Sequence, residues 1–232
     1  MNSPNNRNIV AIVQARMGAS RLPNKMMLWM HGYPIIDWVR QRVKKSKTID
    51  TLVFALPDTP LDEILAGYLE QKGEKVFRGS EQDVLCRFFG AAQEFRATHI
   101  VRICADNPLV SPEEIDNLVE FYFSHPCDYA YNHIPRNNTY PDGLGAEMVS
   151  MDVLTRLDRE ARENSQREHM FNFIWDNESS FTIKTFDPPN PSVAHPDVKM
   201  DIDTVDDYQK FLMTPVDINM DAVSLVSLFK EK

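Results

Sequence analysis

The sequence predicts an α/β protein whose sheet is largely parallel and covered by helices on both faces. Strand and helix signals alternate through the first 125 residues, the pattern of successive βαβ units. The first strand signal, Ile9-Val-Ala-Ile-Val13, is a short β-branched apolar run suited to burial on both faces. It gives way at once to a loop of small and cationic residues, and the carboxyl end of such a strand is where open α/β sheets bind ligands.

Each element follows from local signals. Pro34 to Lys45 places Ile35, Ile36, Val39 and Val43 at helical spacing, and Thr51 to Leu56 reads as a strand. Thr59-Pro60 opens the next helix as N-cap and first-turn proline, with Leu61, Ile64, Leu65, Tyr68 and Leu69 on one apolar stripe and Gly73 closing it. Lys75 to Phe77 is a short third strand. Asp83 to Arg96 is helical and turns Val84, Leu85, Phe88, Phe89, Ala92 and Phe95 inward; His99 to Cys104 is the next strand. Ser111-Pro-Glu-Glu114 has capping-box spacing for a helix carrying Ile115, Leu118, Val119 and Tyr122.

After residue 126 the rhythm loosens. His133 to Gly145 reads as a long polar loop, followed by helices near 151–162 and 166–177 and a strand at 180–186. Pro188, Pro189, Pro191 and Pro196 mark an extended connection into a strand at Val198 to Ile202 and a closing helix at Thr204 to Leu212. The expected organisation is one domain over residues 1–232, with an elaboration at 133–177 for substrate contacts and dimer packing.

Composition excludes several classes. A net charge of -9 argues against broad nucleic-acid binding, which needs a basic surface. No apolar run approaches the roughly 18 residues of a membrane span, and the start of the sequence lacks a signal-peptide core, so a cytoplasmic location is expected. Cys86, Cys104 and Cys127 are far apart and odd in number, and read as reduced thiols.

Some residues can carry chemistry. Arg16, Arg21 and Lys25 stand in the first loop among Gly18, Ala19 and Ser20. Small residues let backbone N–H groups approach an anion, and the cations supply charge-assisted hydrogen bonds to phosphate oxygens. Asp106 follows the strand ending at Cys104, at the ligand-binding end of the sheet. Asp201 and Asp203, two apart, would leave one face of a strand and repel each other unless a cation offsets them. Magnesium suits such oxygen ligands; equally, Asp203 could N-cap the closing helix. Arg102, inside an apolar strand, needs an anionic or hydrogen-bonding partner, either a ligand or a structural ion pair. Asp83 could be a first-turn helix carboxylate, Asp142-Gly143 a turn, and Ser165-x-x-Glu168 a capping box.

Gln14-Ala-Arg-Met-Gly-Ala-Ser-Arg-Leu-Pro-Asn-Lys25 resembles the signature of cytidylyltransferases that activate acidic sugars. Similar matches follow in order at Phe77 to Phe88, Val101 to Leu109, Tyr140 to Glu147, Arg167 to His169 and Asp201 to Asp207. Within that group the sequence resembles the SpsF-type proteins of spore-coat and surface-polysaccharide pathways, with CMP-3-deoxy-manno-octulosonate and CMP-sialate synthetases as more distant relatives.

This resemblance implies a Rossmann-like nucleotidyltransferase fold, GT-A-like and three-layered. It implies transfer of CMP from CTP to an acidic sugar or related acidic metabolite, with Mg²⁺ as cofactor and a homodimer as assembly. Lys25, Arg21, Asp106 and Asp203 are then the catalytic residues, with Asp106 and Asp203 on the metal and Asp201 as a looser third match. Gln14, Ala15, Arg16, Gly18, Ser20, Arg21 and Lys25, joined by Ser80, Asp83 and Arg87, would bind nucleotide. Arg102, Tyr140, Asp142, Glu147, Arg167 and His169 would face the acceptor. Two functions compete with this one. The first is a GT-A-type glycosyltransferase, whose metal-binding D-x-D motif after the fourth strand is replaced here by Ala105-Asp106-Asn107. The second is an inactive nucleotide-binding protein.

Overall fold

A computed structural model describes residues 7–230. The fold opens with β1 (Ile9–Gln14), a loop, and a small hairpin of β2 (Trp29–Met30) and β3 (Tyr33–Pro34). There follow α1 (Ile35–Val43), β4 (Thr51–Pro57), α2 (Glu63–Gln71), β5 (Lys75–Gly79), α3 (Val84–Glu94), β6 (His99–Cys104) and α4 (Pro112–Ser124). The second half contributes β7 (Tyr129–Tyr131), β8 (Glu147–Ser150), α5 (Met151–Glu160), α6 (Asn164–Glu168) and α7 (Asn172–Asp176). It ends with β9 (Ile183–Lys184), α8 (Val205–Met213) and α9 (Ala222–Lys230).

Seven strands form one sheet in the order β5-β4-β1-β6-β8-β7-β9. All run parallel except β8, which is antiparallel to both β6 and β7. β1 is central, so its side chains alternate between two dry faces. Ile9, Ala11 and Val13 join the core under α1, α2, α4 and α9, while Val10 and Ile12 join the one under α3 and α5. These are the three layers. The backbone leaves β1 toward β4 on one side and later fills β6 on the other, so the crevice between the carboxyl ends of β1 and β6 is the switch point of the sheet.

Several expectations are corrected. Leu61 and Ile64 are 51% and 68% exposed and take no part in the α2 stripe. Residues 60–62 form a tight 3-10 turn before the α-helix starts, and the change of pitch leaves Leu65, Ala66 and Leu69 facing the core. The helix expected at 166–177 is broken into α6 and α7, because the backbone leaves the helical conformation at His169 (φ -109°, ψ 84°) and turns before α7 begins. Its cap is a box made by Glu163 and Gln166, not by Ser165 and Glu168. The strand expected at 180–186 shrinks to β9. Within the 133–177 segment, β8 sits inside the sheet between β6 and β7. α9, β7, β8 and the β2–β3 hairpin were not among the expected elements; the four strands are only two to four residues long, too short to show an alternating pattern.

The stretch 198–202 is also no ladder strand, and its actual anchoring matters more. It makes one parallel bridge, Asp142 with Lys199: the Asp142 N–H donates to the Val198 carbonyl and the Met200 N–H to the Asp142 carbonyl, each at 2.9 Å. Gly143 permits this approach. Its φ is +87°, and a Cβ there would lie 2.8 Å from the Met200 carbonyl carbon. The Ile202 N–H then donates to the Asp106 carbonyl at 2.8 Å. The late segment is thereby stitched against the end of β6.

Candidate active site

The loop after β1 is held from beneath. The Met17 N–H donates to the buried Asp62 carboxylate at 2.8 Å, and the Met17 carbonyl accepts from Ala19 and Asn24. Asn24 takes a left-handed φ of 57°, which turns the backbone so that Lys25 points inward. Lys25 is only 6% exposed. Its ammonium donates to the Ile202 carbonyl at 2.7 Å and lies 3.3 Å from Asp203 Oδ1 and 3.6 Å from Asp106 Oδ2. Arg21 Nη2 donates to the other Asp203 oxygen at 2.8 Å. These four predicted residues meet at one point, from three stretches of sequence.

The cap question for Asp203 is answered by its neighbour. Thr204 is the N-cap of α8, in a reciprocal box with Asp207, and the Asp203 N–H also donates to Asp207 Oδ2 at 3.0 Å. The Asp203 side chain is left for Lys25 and Arg21. Asp201 turns elsewhere: Lys199 Nζ is 3.2 Å from its Oδ1. Burial, then Lys199 acting against it and Asp203 acting with it, leaves the Asp201 carboxyl above the usual range. Asp142 beside it is pushed up to about 6, by burial first and then by Asp201, with Asp106 and Asp203 adding and Lys199 opposing.

A cavity of about 300 Å³ opens here. Gln14, Ala15, Arg16, Ser20, Arg21 and Lys25 line it from the first loop, and Arg102, Asp106, His169 and Asp203 from across the crevice. Ala19, one of the small residues of that loop, also lines it, as does Met26, which was not singled out from the sequence. A second cavity of about 570 Å³ adjoins through Arg16 and is walled by Ser80, Glu81, Gln82, Asp83, Asn164, Arg167 and Glu168. Arg167 clasps both oxygens of Asp83 at 2.7–2.9 Å and reaches Asp158, so that pair ties α6 to the start of α3. Asp83 is also the N-cap of α3, accepting from the Cys86 N–H.

Other predicted residues lie behind these walls. Gly18 is exposed on the loop and lines neither cavity. Arg87 is buried and donates to the Ser80 carbonyl, so it supports the wall from below. Tyr140 is fully buried and donates to Glu114 Oε2 at 2.6 Å; it braces the 140–146 loop against α4 and lines neither of these two cavities. Glu147, 3% exposed, receives Arg102 and the Tyr129 hydroxyl, with His133 Nε2 at 3.7 Å. Burial alone would raise its carboxyl, but Arg102, then His133 and Tyr129, hold it below the usual range. Arg102 thus has its structural ion pair and still lines the cavity, with Nε and Nη2 3.3 and 3.2 Å from Gln14 Oε1. Asp62 and His133 were missed. Asp62 looked like part of a helix start at Thr59, and a histidine opening a polar loop carries no signal of its own.

Among the described residues no three His, Cys, Asp or Glu side chains are grouped to hold a metal. Asp106 and Asp203 offer two hard carboxylates with side chains 36% and 24% exposed. Mg²⁺ keeps several waters and is usually bound by one or two carboxylates together with substrate phosphates, so this donor set fits a magnesium ion accompanied by a triphosphate.

A largely parallel sheet with its switch point filled by a cationic loop and two aspartates is the architecture of a nucleotidyltransferase. The cytidylyltransferase family model matches residues 10–229, and the chain belongs to that family. It is a CTP-dependent nucleotidyltransferase, and the glycosyltransferase alternative is set aside. It is 32% identical over 206 residues to the spore coat polysaccharide biosynthesis protein SpsF of Bacillus subtilis, covering 87% of this chain and 83% of that one. A cytidylyltransferase structure from Leptospira borgpetersenii superposes with a TM-score of 0.87 at 26% identity, covering 97% of this chain and 94% of the other. CMP:2-keto-3-deoxy-manno-octonic acid synthetase in complex with CTP shares the fold, with a TM-score of 0.66 at 17% identity over 88% of this chain and 96% of that one. Among the described residues no helix is long and apolar enough to cross a membrane.

Proposed function

We propose that the protein transfers CMP from CTP to an acidic sugar or related acidic metabolite, with release of pyrophosphate, in surface polysaccharide biosynthesis. The observation that carries this reading is the buried Lys25 ammonium between Asp106 and Asp203 on the wall of a cavity at the sheet's switch point. An oxygen of the acceptor attacks the α-phosphorus, the α–β phosphoanhydride bond breaks, and pyrophosphate leaves. Negative charge gathers on the leaving oxygens, so catalysis consists of positioning and of neutralising that charge.

Arg16, Arg21 and Lys25 hold the triphosphate by charge-assisted hydrogen bonds. Asp106 and Asp203 would hold Mg²⁺, which when bound supplies further neutralisation of phosphate charge. Arg102 and His169, on the opposite wall, face the acceptor. Arg102 is oriented by Glu147 and Gln14, which fix its guanidinium plane. The second cavity, with Ser80, Asp83 and Arg167 on its walls, extends the site for the remainder of the substrates. The names of the relatives support the substrate class: one is a spore coat polysaccharide biosynthesis protein and another is a CMP:2-keto-3-deoxy-manno-octonic acid synthetase in complex with CTP. A cytoplasmic homodimer is part of the same reading.

Purified protein incubated with Mg²⁺, each of the four NTPs and a panel of acidic acceptors tests it. Pyrophosphate released with CTP and an acidic acceptor is the expected result. Release with another NTP alone, or equal release with uncharged acceptors, would overturn the assignment.

A further inference from the structure

Asp203 has both carboxylate oxygens engaged by cations of one loop. Oδ1 lies 3.3 Å from Lys25 Nζ and Oδ2 lies 2.8 Å from Arg21 Nη2. Asp106 Oδ2 lies 3.6 Å from the same ammonium. Lys25 is not a surface side chain sampling many partners: it is buried, and the Ile202 carbonyl anchors its Nζ at 2.7 Å. A divalent cation arriving alone meets carboxylates whose charge is already compensated and two positive groups that repel it. A triphosphate changes this balance. Its oxygens offer ammonium and guanidinium several new charge-assisted bonds, and every cation drawn onto phosphate frees a carboxylate oxygen.

We infer that Lys25 and Arg21 serve as an internal counter-cation that closes the Asp106–Asp203 pair to divalent metal until a nucleoside triphosphate draws them away. Metal and nucleotide then enter as a coupled pair. By linkage the coupling is reciprocal, so metal at the two aspartates strengthens the hold of the loop on the triphosphate. The arrangement keeps the acidic pair from being occupied unproductively by metal, and from repelling the polyanionic nucleotide, before that nucleotide arrives. Arg21, with a side chain 65% exposed, swings at little cost, whereas Lys25 need only shift its terminal atoms. This inference rests on the proposed role of Asp106 and Asp203 as the metal-holding carboxylates.

The test is Mn²⁺ binding to the full-length, nucleotide-free protein, read from the loss of the free-ion paramagnetic resonance signal. Wild type should bind Mn²⁺ weakly. Lys25→Met should bind it about tenfold more tightly, and the solvent-screened Arg21→Met about threefold. Adding Asp203→Asn to either variant should abolish the gain. Unchanged Mn²⁺ affinity in both variants, or a gain that survives Asp203→Asn, overturns the inference. If Lys25→Met fails to fold by its melting curve, Arg21→Met decides alone, since that side chain lies on the surface. Failure of the functional reading is separately visible, as wild type releasing no pyrophosphate from CTP.

Discussion

Lys25 and Arg21 stand four positions apart on one loop, yet one is buried and the other open to solvent. Loss of either should weaken CTP binding by about tenfold or more, since each charge-assisted hydrogen bond is worth ~1.5–3 kcal/mol. Calorimetry with CTP checks this, and unchanged affinity in both Lys25→Ala and Arg21→Ala would remove the loop from the triphosphate site. Arg21→Ala should leave the melting temperature alone. At the adjoining position the two roles once open to Asp203 separate cleanly. Because Thr204 is the N-cap, Thr204→Ala should cost about 1 kcal/mol of stability. Asp203→Asn should instead remove most turnover with little change in melting temperature, as asparagine keeps the shape but not the charge. Near-wild-type turnover of Asp203→Asn at sub-millimolar Mg²⁺ would count against the metal role. Asp142 gives a pH signature. Its carboxyl, raised to about 6 in the fold from an ordinary value of 3.8, favours the protonated folded state. Its stabilising contribution is complete below pH ~4 and lost as pH rises through ~6. Asp142→Asn should therefore raise the melting temperature at pH 8 and change it little at pH 4; equal shifts at both would place the strain elsewhere.

Between elements, the junction of β6 with the antiparallel β8 is held by more than backbone pairing. Arg102 and Glu147 sit opposite each other in the register, and their side chains form a buried pair with Tyr129 attached. Removing one partner leaves a buried charge uncompensated, which typically costs about 3–5 kcal/mol. Glu147→Met and Arg102→Met should each destabilise by that order, and the double variant by less than either single change. Additive losses in denaturant melts would show that the two do not act as a pair. The junction also bears on what could be read beforehand. An arginine in an apolar strand announced a need for a partner, but the choice of Glu147 required β8 to fold back beside β6. The cap at Ser111 was legible because a cap is a contact across three or four residues, whereas at the closing helix the sequence offered Asp203 and the structure uses Thr204. The 3-10 turn before α2 was not, since its effect on which side chains face inward depends on where the sheet lies.

At the scale of the whole molecule, the parallel half of the sheet carries the loop and Asp106, and the remainder of the fold returns to close the crevice. The antiparallel β8 brings the 140–146 loop over β6, and that loop holds the 198–202 segment by the Asp142–Lys199 bridge. The homodimer expected from the aromatic-rich 120–177 region is tested by light scattering. A mass of about twice 26.8 kDa at micromolar concentration is expected, and the single-protomer mass would overturn it.

Local chemistry alone determined the alternation of strands and helices, the cationic loop after β1 and the aspartate after β6. Each rests on period, turn residues or position along one strand, and all of these act over a few residues. The tertiary structure decided which charges meet. Lys25 and Asp203 are 178 residues apart, and nothing in either neighbourhood specifies the other. Their contact follows from sheet order, from Gly143 allowing two backbones to touch, and from Thr204 taking the helix cap that would otherwise have claimed the Asp203 carboxylate.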